Sequence, residues 1–576
     1  MEICVDEYDI HLVSGVGMYV AEVVSKGQSG QSYTSVLVRH NVRHGAKVRT
    51  TTLAVLTHLP ARVIQAVRDA LQEPASSLRQ IADRSPELTL RNAESFGAVW
   101  TVDQIAQQLD LKKALGVTEA AALGYWQVLA RVLRPGVSLL AMVRLAAHCA
   151  GAALLGWRRA FSEDDLYRNG AWLEGRQALI ERRLWLGRQD RLNHQLFLYD
   201  VTSSYLEGEH NALAAWGYNR DGKKGKQQLV VGLLTDAQGE PISTQVYRGN
   251  TSDVKTFGDQ VNKLKRALGC ASVTMVGDRG MIKAEQKAAA QEAGFHFITA
   301  LTKPQIQRLL KEKVFQLELF EEQVCEIAGE AGTRYVLRRN PVRQAELART
   351  RQAKQQALEA EVRQANEYLA GHAKAKVKTQ QTGLAARLKR LGVEGWLKLQ
   401  AQGRRLELST DQPALQACAQ LDGCYVIQTD LPRAQAGAQT VHDRYKDLAQ
   451  VERDFRIMKT GHLEFRPWFV CTEDNTRAHA LTSMLALKVR RHLEQAWEKL
   501  DLTVEEGLRQ LETLCVMELV HQPSGEVVAR QVPEPSAGQK QLLDALALAL
   551  PAVAPEAKVV VGTRKKIQSE RKALVQ

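Results

Sequence analysis

The chain has 576 residues, 45% hydrophobic and 24% charged, with a formal net charge of +13. That length admits several domains, the composition is that of a globular protein rather than a disordered or collagenous one, and the basic surplus favours a polyanionic partner. The eight cysteines, at 4, 149, 270, 325, 418, 424, 471 and 515, form no Cys-x2-Cys pair, which argues against structural zinc and a disulfide framework. The opening Met-Glu-Ile-Cys-Val-Asp-Glu lacks a signal-peptide layout and no apolar run reaches membrane-spanning length. A cytoplasmic protein without a membrane partner is therefore expected.

Residues 1–60 hold short alternating runs such as Met18-Tyr-Val-Ala-Glu-Val-Val and Tyr33-Thr-Ser-Val-Leu-Val, expected to form a small antiparallel β unit. Arg39, His40, Arg43, His44, Lys47 and Arg49 are expected to crowd one loop and its flanks, either touching phosphates or simply solvated. From 61 to 190 the pattern turns helical, with helices over 61–71, 102–109 and through the Ala/Leu-rich stretch 119–155. Thr101 reads as a helix cap. Its helix fits either the first member of a DNA-reading pair or a bundle packing its own core, and the second is favoured.

Residues 191–300 predict a strand at 196–205, a hairpin of 229–235 and 242–247 turning at Asp236-Ala-Gln-Gly-Glu, a helix over 256–268, a strand ending at Asp278, a helix over 283–293 and a last strand from Phe295. Residues 301–420 are expected to be an inserted subdomain, with a hairpin over 326–339 and a polar helical stretch from Pro341 to about residue 378. Trp396 fits a core position better than a base-stacking one. Residues 421–500 return with a strand over 422–430 and a long helix over 476–500 carrying Lys488, Arg490, Arg491 and His492 in one turn. That helix should pack beneath the sheet or support dimerisation. Residues 501–576 give two helices, a strand at 526–530 and a basic tail with Lys558, Arg564, Lys565, Lys566, Arg571 and Lys572.

Three acids stand out. Tyr445-Lys-Asp-Leu-Ala-Gln-Val-Glu452-Arg-Asp-Phe-Arg-Ile-Met-Lys459 has an apolar stripe of Leu448, Val451, Phe455 and Met458. On one continuous helix Tyr445, Glu452 and Lys459 would fall in line, about 10 Å apart along the axis. Asp200 sits inside Leu196-Phe-Leu-Tyr-Asp-Val-Thr-Ser-Ser-Tyr, and Asp278 closes Val273-Thr-Met-Val-Gly-Asp-Arg-Gly. Carboxylates at a sheet rim are where α/β proteins build sites, and three of them are the hard oxygen ligands that Mg²⁺ prefers.

These residues resemble the catalytic core of insertion-sequence DDE transposases, in the group whose third acid lies in a Tyr-x2-Arg-x3-Glu-x6-Lys signature. Tyr445, Glu452 and Lys459 fit that spacing, while Leu448 stands at the Arg position and Arg456 is the nearest substitute guanidinium. The contexts Tyr-Asp-Val-Thr-Ser-Ser-Tyr and Gly-Asp-Arg-Gly-Met also match, as do Gly217-Tyr-Asn-Arg-Asp-Gly-Lys-Lys-Gly-Lys-Gln and Tyr247-Arg-Gly-Asn-Thr-Ser-Asp253. The resemblance implies an α/β fold, a ribonuclease H-like mixed sheet with flanking helices interrupted by an inserted α+β subdomain. It implies Asp200, Asp278 and Glu452 as catalytic residues and ligands of two Mg²⁺ ions, with Mn²⁺ substituting. Tyr445, Arg456, Lys459, Lys223, Lys224, Lys226 and Arg279 become the DNA contacts. The implied partners are double-stranded DNA, as transposon ends and target, and a second copy forming a homodimer on that DNA in a bacterial cytoplasm. A ribonuclease H-like nuclease or resolvase without strand transfer, and a non-catalytic DNA-binding derivative, are the alternatives.

Overall fold

A computed structural model describes residues 18–556 except 27–31, 45–46, 73–86, 189–195, 209, 219, 221, 224, 271, 464, 467 and 469. The basic tail and Lys224 lie outside the described residues, as do the side chains of Arg43, His44 and Lys47. Contacts group the chain into two compact units, 1–180 with 457–576, and 181–456.

In the first unit, β1 (Met18–Lys26), β2 (Ser32–His44) and β3 (Lys47–Val55) pair antiparallel in sequence order. Arg39, His40 and Arg49 therefore sit in paired strands, not in a loop, with Arg39 opposite Tyr19 and Thr52. The alternation Val36, Val38 puts one face of this ribbon against Val63 and Val67 of the helix Ala61–Gln72. A strand, β4 (Leu88–Ser95), interrupts the stretch expected to be helical and pairs with Cys515–His521, more than 400 residues on.

Thr101 is not a cap. The helix begins earlier, as Gly97–Gln108, and Thr101 is buried inside it. The Leu514 carbonyl accepts the amides of both Phe96 and Gly97 at 2.9 Å, so a neighbouring chain segment satisfies donors that a capping side chain would otherwise serve. The Ala/Leu-rich stretch breaks into Glu119–Leu133, Leu139–His148 and Gly151–Leu155, with Thr118 and Ser138 as side-chain caps. The helix Glu473–Trp497 packs against Glu119–Leu133 in this unit, and its Lys488, Arg490 and Arg491 are buried. Arg490 reaches Glu505 at 2.8 Å, so this turn makes an internal ion pair where a solvated basic patch would be the simpler reading.

The second unit is built on an eight-stranded mixed sheet. Its strands are β5 (Leu196–Tyr205), β6 (Gln228–Asp236), β7 (Pro241–Arg248), β8 (Thr274–Gly277), β9 (His296–Ala300), β10 (Cys325–Ala328), β11 (Arg334–Arg339) and, after β12 (Leu397–Gln402) and β13 (Arg405–Thr410), β14 (Cys424–Thr429). The spatial order is β10-β11-β14-β9-β8-β5-β6-β7. β5, β6 and β7 form an antiparallel meander, and β8 and β9 add parallel to β5. Parallel addition needs crossovers, supplied by the helices Asp253–Asn262 and Ala284–Glu292. Phe197, Tyr199 and Val201 project to these helices and pack with Phe257, Val261 and Ala290. Each buried ring or branched chain there contributes roughly 1.5–3 kcal/mol. The intervening positions of β5, Asp200 among them, face the other side.

The hairpin expected in the insertion, now β10–β11, extends the main sheet instead, because β11 pairs with β14 along its whole length. What stands outside the sheet is a helical hairpin, Pro341–Gly371 and Val377–Leu391, with β12–β13 against it. The long polar helix buries Leu358, Val362, Ala365 and Leu369, a four-three-four spacing that makes one apolar seam. Trp396 is buried in that seam's core.

Candidate active site

Strand register brings the first two acids together. Tyr199 on β5 is the partner of Gly277 on β8, so the next residue of each strand, Asp200 and Asp278, stand at one level of adjacent strands, about 4.8 Å apart in backbone spacing. β5 is central and apolar enough to be held on both sides, whereas β8 stops at Gly277 and releases Asp278 into a turn closed by Met281 N–H to the Asp278 carbonyl at 3.0 Å. A Cβ at Gly277 would meet Ile282 Cδ1 at 3.0 Å, so a small residue lets the turn fold over the strand end.

The third acid arrives on a helix that is not continuous with Tyr445. The signature segment is two helices, Ala438–Lys446 and Leu448–Lys459, broken at Asp447. The in-line arrangement of Tyr445, Glu452 and Lys459 on one helix is thus corrected. Leu448, Val451, Phe455 and Met458 are buried as one stripe, which leaves Glu452 and Arg456 exposed. Tyr445 donates its hydroxyl to Asp278 Oδ1 at 3.2 Å. Burial and the carboxylates of Asp278 and Asp200 hold the Tyr445 phenol well above its ordinary pKa, so it stays a donor.

Electrostatics shows which groups share the space. Burial and, after it, the negative charges of Asp278 and Glu452 push the Asp200 carboxyl up to about 7, against the opposing Val201 amide and Arg220. Asp200 therefore lies within reach of the charges of both other acids. Among the described residues no group of three or more His, Cys, Asp or Glu side chains is drawn closely enough to hold a metal ion. The donor chemistry still suits a hard divalent cation. Asp200 and Asp278 stand in register on adjacent strands, and the proton held on Asp200, chiefly by burial, is one that such a cation would displace.

The remaining candidates divide. Arg279 acts on Tyr445 from beside Asp278. Lys223 lies over the Tyr205 ring, 5.8 Å from its centroid, at the end of β5, and Lys226 is exposed in the same loop. Lys459 ends its helix and belongs to the first unit, where Arg466 donates to its carbonyl at 3.4 Å. Sequence reasoning missed Arg220, the cation that opposes the Asp200 shift. Its amide donates to Ser203 Oγ at 2.9 Å and its guanidinium pairs with Asp253. Arg220 lies inside the matching segment 217–227, three residues before the first of its lysines, and that segment is the signal that marks it.

The loop carrying Arg220 is pinned from below. Gln228, 2% exposed, donates from Nε2 to the carbonyls of Tyr218 (3.0 Å) and Gly249 (2.8 Å). Gly249 donates to the Leu213 carbonyl at 3.0 Å, and Ala215 bridges Gln228 in both directions. A Cβ at Gly217 would lie 2.2 Å from the Gly249 carbonyl oxygen, so the two segments touch through backbone and only glycine fits.

The family model described as the transposase DDE domain matches residues 191–488, just over half of the chain. Among solved structures, the cryo-EM structure of a piggyBac transposase synaptic complex with hairpin DNA aligns at 8% identity, over 69% of this chain and 70% of that one. Its TM-score of 0.34 is too low to bear on the fold. No curated protein sequence matches. With the acids of β5, β8 and the Leu448–Lys459 helix all inside the matched residues, the chain belongs to the transposase DDE-domain family.

Proposed function

We propose that this transposase serves an insertion sequence, binding its terminal inverted repeats, cleaving there by metal-dependent hydrolysis and joining the 3′ ends to target DNA. The observation that carries the reading is the placement of Asp200 and Asp278 in register on adjacent strands, with the charge of Glu452 reaching Asp200. The three-strand meander followed by parallel strands is read as a ribonuclease H-like core. Held by Asp200, Asp278 and Glu452, Mg²⁺ or Mn²⁺ as an ion pair would supply Lewis acidity towards the scissile phosphate and acidify a bound water.

The chain's own residues do the rest. Asp200 must lose its proton before it can act as a ligand, so a divalent cation competes with that proton for the carboxylate. Tyr445 orients Asp278 through its hydroxyl. Arg220 opposes the acid cluster's charge, while Arg279, Arg456, Lys459, Lys223, Lys224 and Lys226 supply cations for DNA phosphates. The product is a 3′-hydroxyl, the nucleophile for joining, and pairing two ends calls for a homodimer on the DNA.

The test is to incubate the full-length protein with Mg²⁺ and DNA bearing the ends of its element. Wild type should cut the ends and join them to a plasmid, and Asp200→Asn should bind the ends without cutting. Cleavage by Asp200→Asn would refute the acid assignment. Cleavage by wild type without joining would turn the reading to a nuclease or resolvase.

A further inference from the structure

The helix Ala438–Lys446, which brings Tyr445 to Asp278, is held by little apolar contact. Of its nine residues only Val441 and His442 are buried, and His442 is 0% exposed. Hydrophobic burial fixes an element in proportion to the area it removes from water, so a helix that sinks one aliphatic side chain depends on polar contacts for its position.

His442 supplies those contacts to two strands. Its Nε2 faces Arg338 Nη1 on β11 at 3.0 Å and the Tyr425 hydroxyl on β14, and the Tyr425 ring stacks on the imidazole at 5.8 Å between centroids. Arg338 and Tyr425 are register partners on adjacent strands, and Arg338 Nε donates to the Glu322 carbonyl at 2.8 Å, which fixes the guanidinium. A guanidinium carries donors only, so Nε2 accepts and the ring proton sits on Nδ1, which donates to Asp443 Oδ1 at 2.9 Å. Gln439 Nε2 donates to the same oxygen at 2.8 Å. Burial first, with Lys446 and Arg338 adding to it against the Asp443 carboxylate, holds the His442 pKa below its ordinary value.

The approach to the helix is fixed as well. Arg334 on β11, itself buried, donates to the carbonyls of Leu431 and Ala436, just before the helix begins, and pairs with Glu326 at 2.7 Å. From there the helix touches β11, β14, β9 and β8. Tyr445 follows His442 by three residues, about 4.5 Å along the axis, so the imidazole clamp and the phenol are about one turn apart on one element. The Tyr445–Asp278 hydrogen bond is 3.2 Å long, and slippage of the helix by about 1 Å would break it.

We propose that His442 is a positioning residue of the acid site: bridging β11 and β14, it fixes the helix at the height that puts the Tyr445 hydroxyl on Asp278. Its effect on cleavage rests on the function proposed above, and its effect on the helix rests on geometry alone.

The experiment uses full-length protein and two readouts, cleavage of the element's ends with Mg²⁺ and amide hydrogen exchange over residues 438–446. His442→Asn, too short to reach Arg338 and Tyr425, should cleave about ten-fold more slowly. His442→Gln, whose amide oxygen can occupy the Nε2 position, should stay within about three-fold of wild type. The decisive comparison is a double-mutant cycle. With Tyr445→Phe already in place, His442→Asn should change cleavage by less than about two-fold, since it acts through that hydroxyl. Losses that multiply, or wild-type cleavage by His442→Asn, overturn the proposal. Exchange over 438–446 should speed up in His442→Asn and not in His442→Gln, with β5 unchanged. If His442→Asn does not fold, Tyr425→Phe, which keeps the ring and removes the hydroxyl, enters the same cycle and the same exchange measurement with the same expected signs. If wild type cuts nothing, the proposed function falls and exchange alone decides: faster exchange in the variant sustains the clamp, and unchanged exchange overturns it.

Discussion

The two elements that deliver the acids behave differently. Asp200 and Asp278 are fixed by hydrogen-bonded register between central strands, β5 and β8, where a one-residue slip would turn every side chain to the wrong face. Glu452 is fixed by a helix that packs through Leu448, Val451, Phe455 and Met458 and leaves the carboxylate exposed. The strand pair therefore sets a rigid reference, and the helix carries an exposed carboxylate that, under the proposed function, is a ligand with room to adjust. A site of this kind tolerates error at the third acid better than at the first two.

The largest test of that contrast is kinetic. Asp278→Asn is expected to lower DNA cleavage by at least about a thousand-fold, as loss of a principal electrostatic group does. Changing the side-chain length by one methylene separates the elements: Asp278→Glu, one methylene longer, should stay near that floor, while Glu452→Asp, one shorter, should keep about a tenth of wild-type cleavage, because only the helix can accommodate. Equal losses for the two would show that both elements are equally rigid.

Next is the pin under the neighbouring loop. Gly249→Ala would place a Cβ 1.8 Å from the Gln228 carbonyl oxygen and 2.6 Å from that of Ala215, both backbone atoms. Destabilisation of about 3 kcal/mol is expected in urea unfolding. A change below about 1 kcal/mol would mean that the two segments yield easily.

The proton on Asp200 gives a signed pH effect. Its folded-state value of about 7 lies above the ordinary 3.8, so the folded chain binds the extra proton between those values and loses stability as pH rises through them. In chelator-containing buffer Asp200→Asn should be more stable than wild type at pH 8, by about 2 kcal/mol, with no difference near pH 4. A variant less stable at pH 8 would contradict a proton held on Asp200 by burial and its acidic neighbours. The smallest effect is Tyr445→Phe, which removes one hydrogen bond to Asp278. Cleavage should fall about ten-fold with the melting temperature unchanged.

Legibility followed the range of the interactions. The apolar run around Asp200, the β6–β7 hairpin with Gly239 in its turn and the buried stripe of the Leu448–Lys459 helix are local patterns, and each stands at the place its residues indicate. The strand Leu88–Ser95 was not legible, because it exists by pairing with Cys515–His521. Thr101 looked like a cap because the Leu514 carbonyl that replaces one comes from the far end of the chain. The polar helix of Pro341–Gly371 hid its seam among Gln, Lys and Glu, and its hairpin became visible only with the returning helix Val377–Leu391 in place.

By itself, residue order determined the chemistry available: three carboxylates in strand and helix contexts, cations around them, and an Arg position occupied by Leu448. Only the tertiary structure decided that β5 and β8 are neighbours in one register, that Asp447 breaks the signature helix, and that Arg220 rather than a lysine opposes the charge at Asp200. The physical reason is that side-chain identity and periodicity act over a few residues, whereas a shared electrostatic field depends on distances that chain separation does not encode.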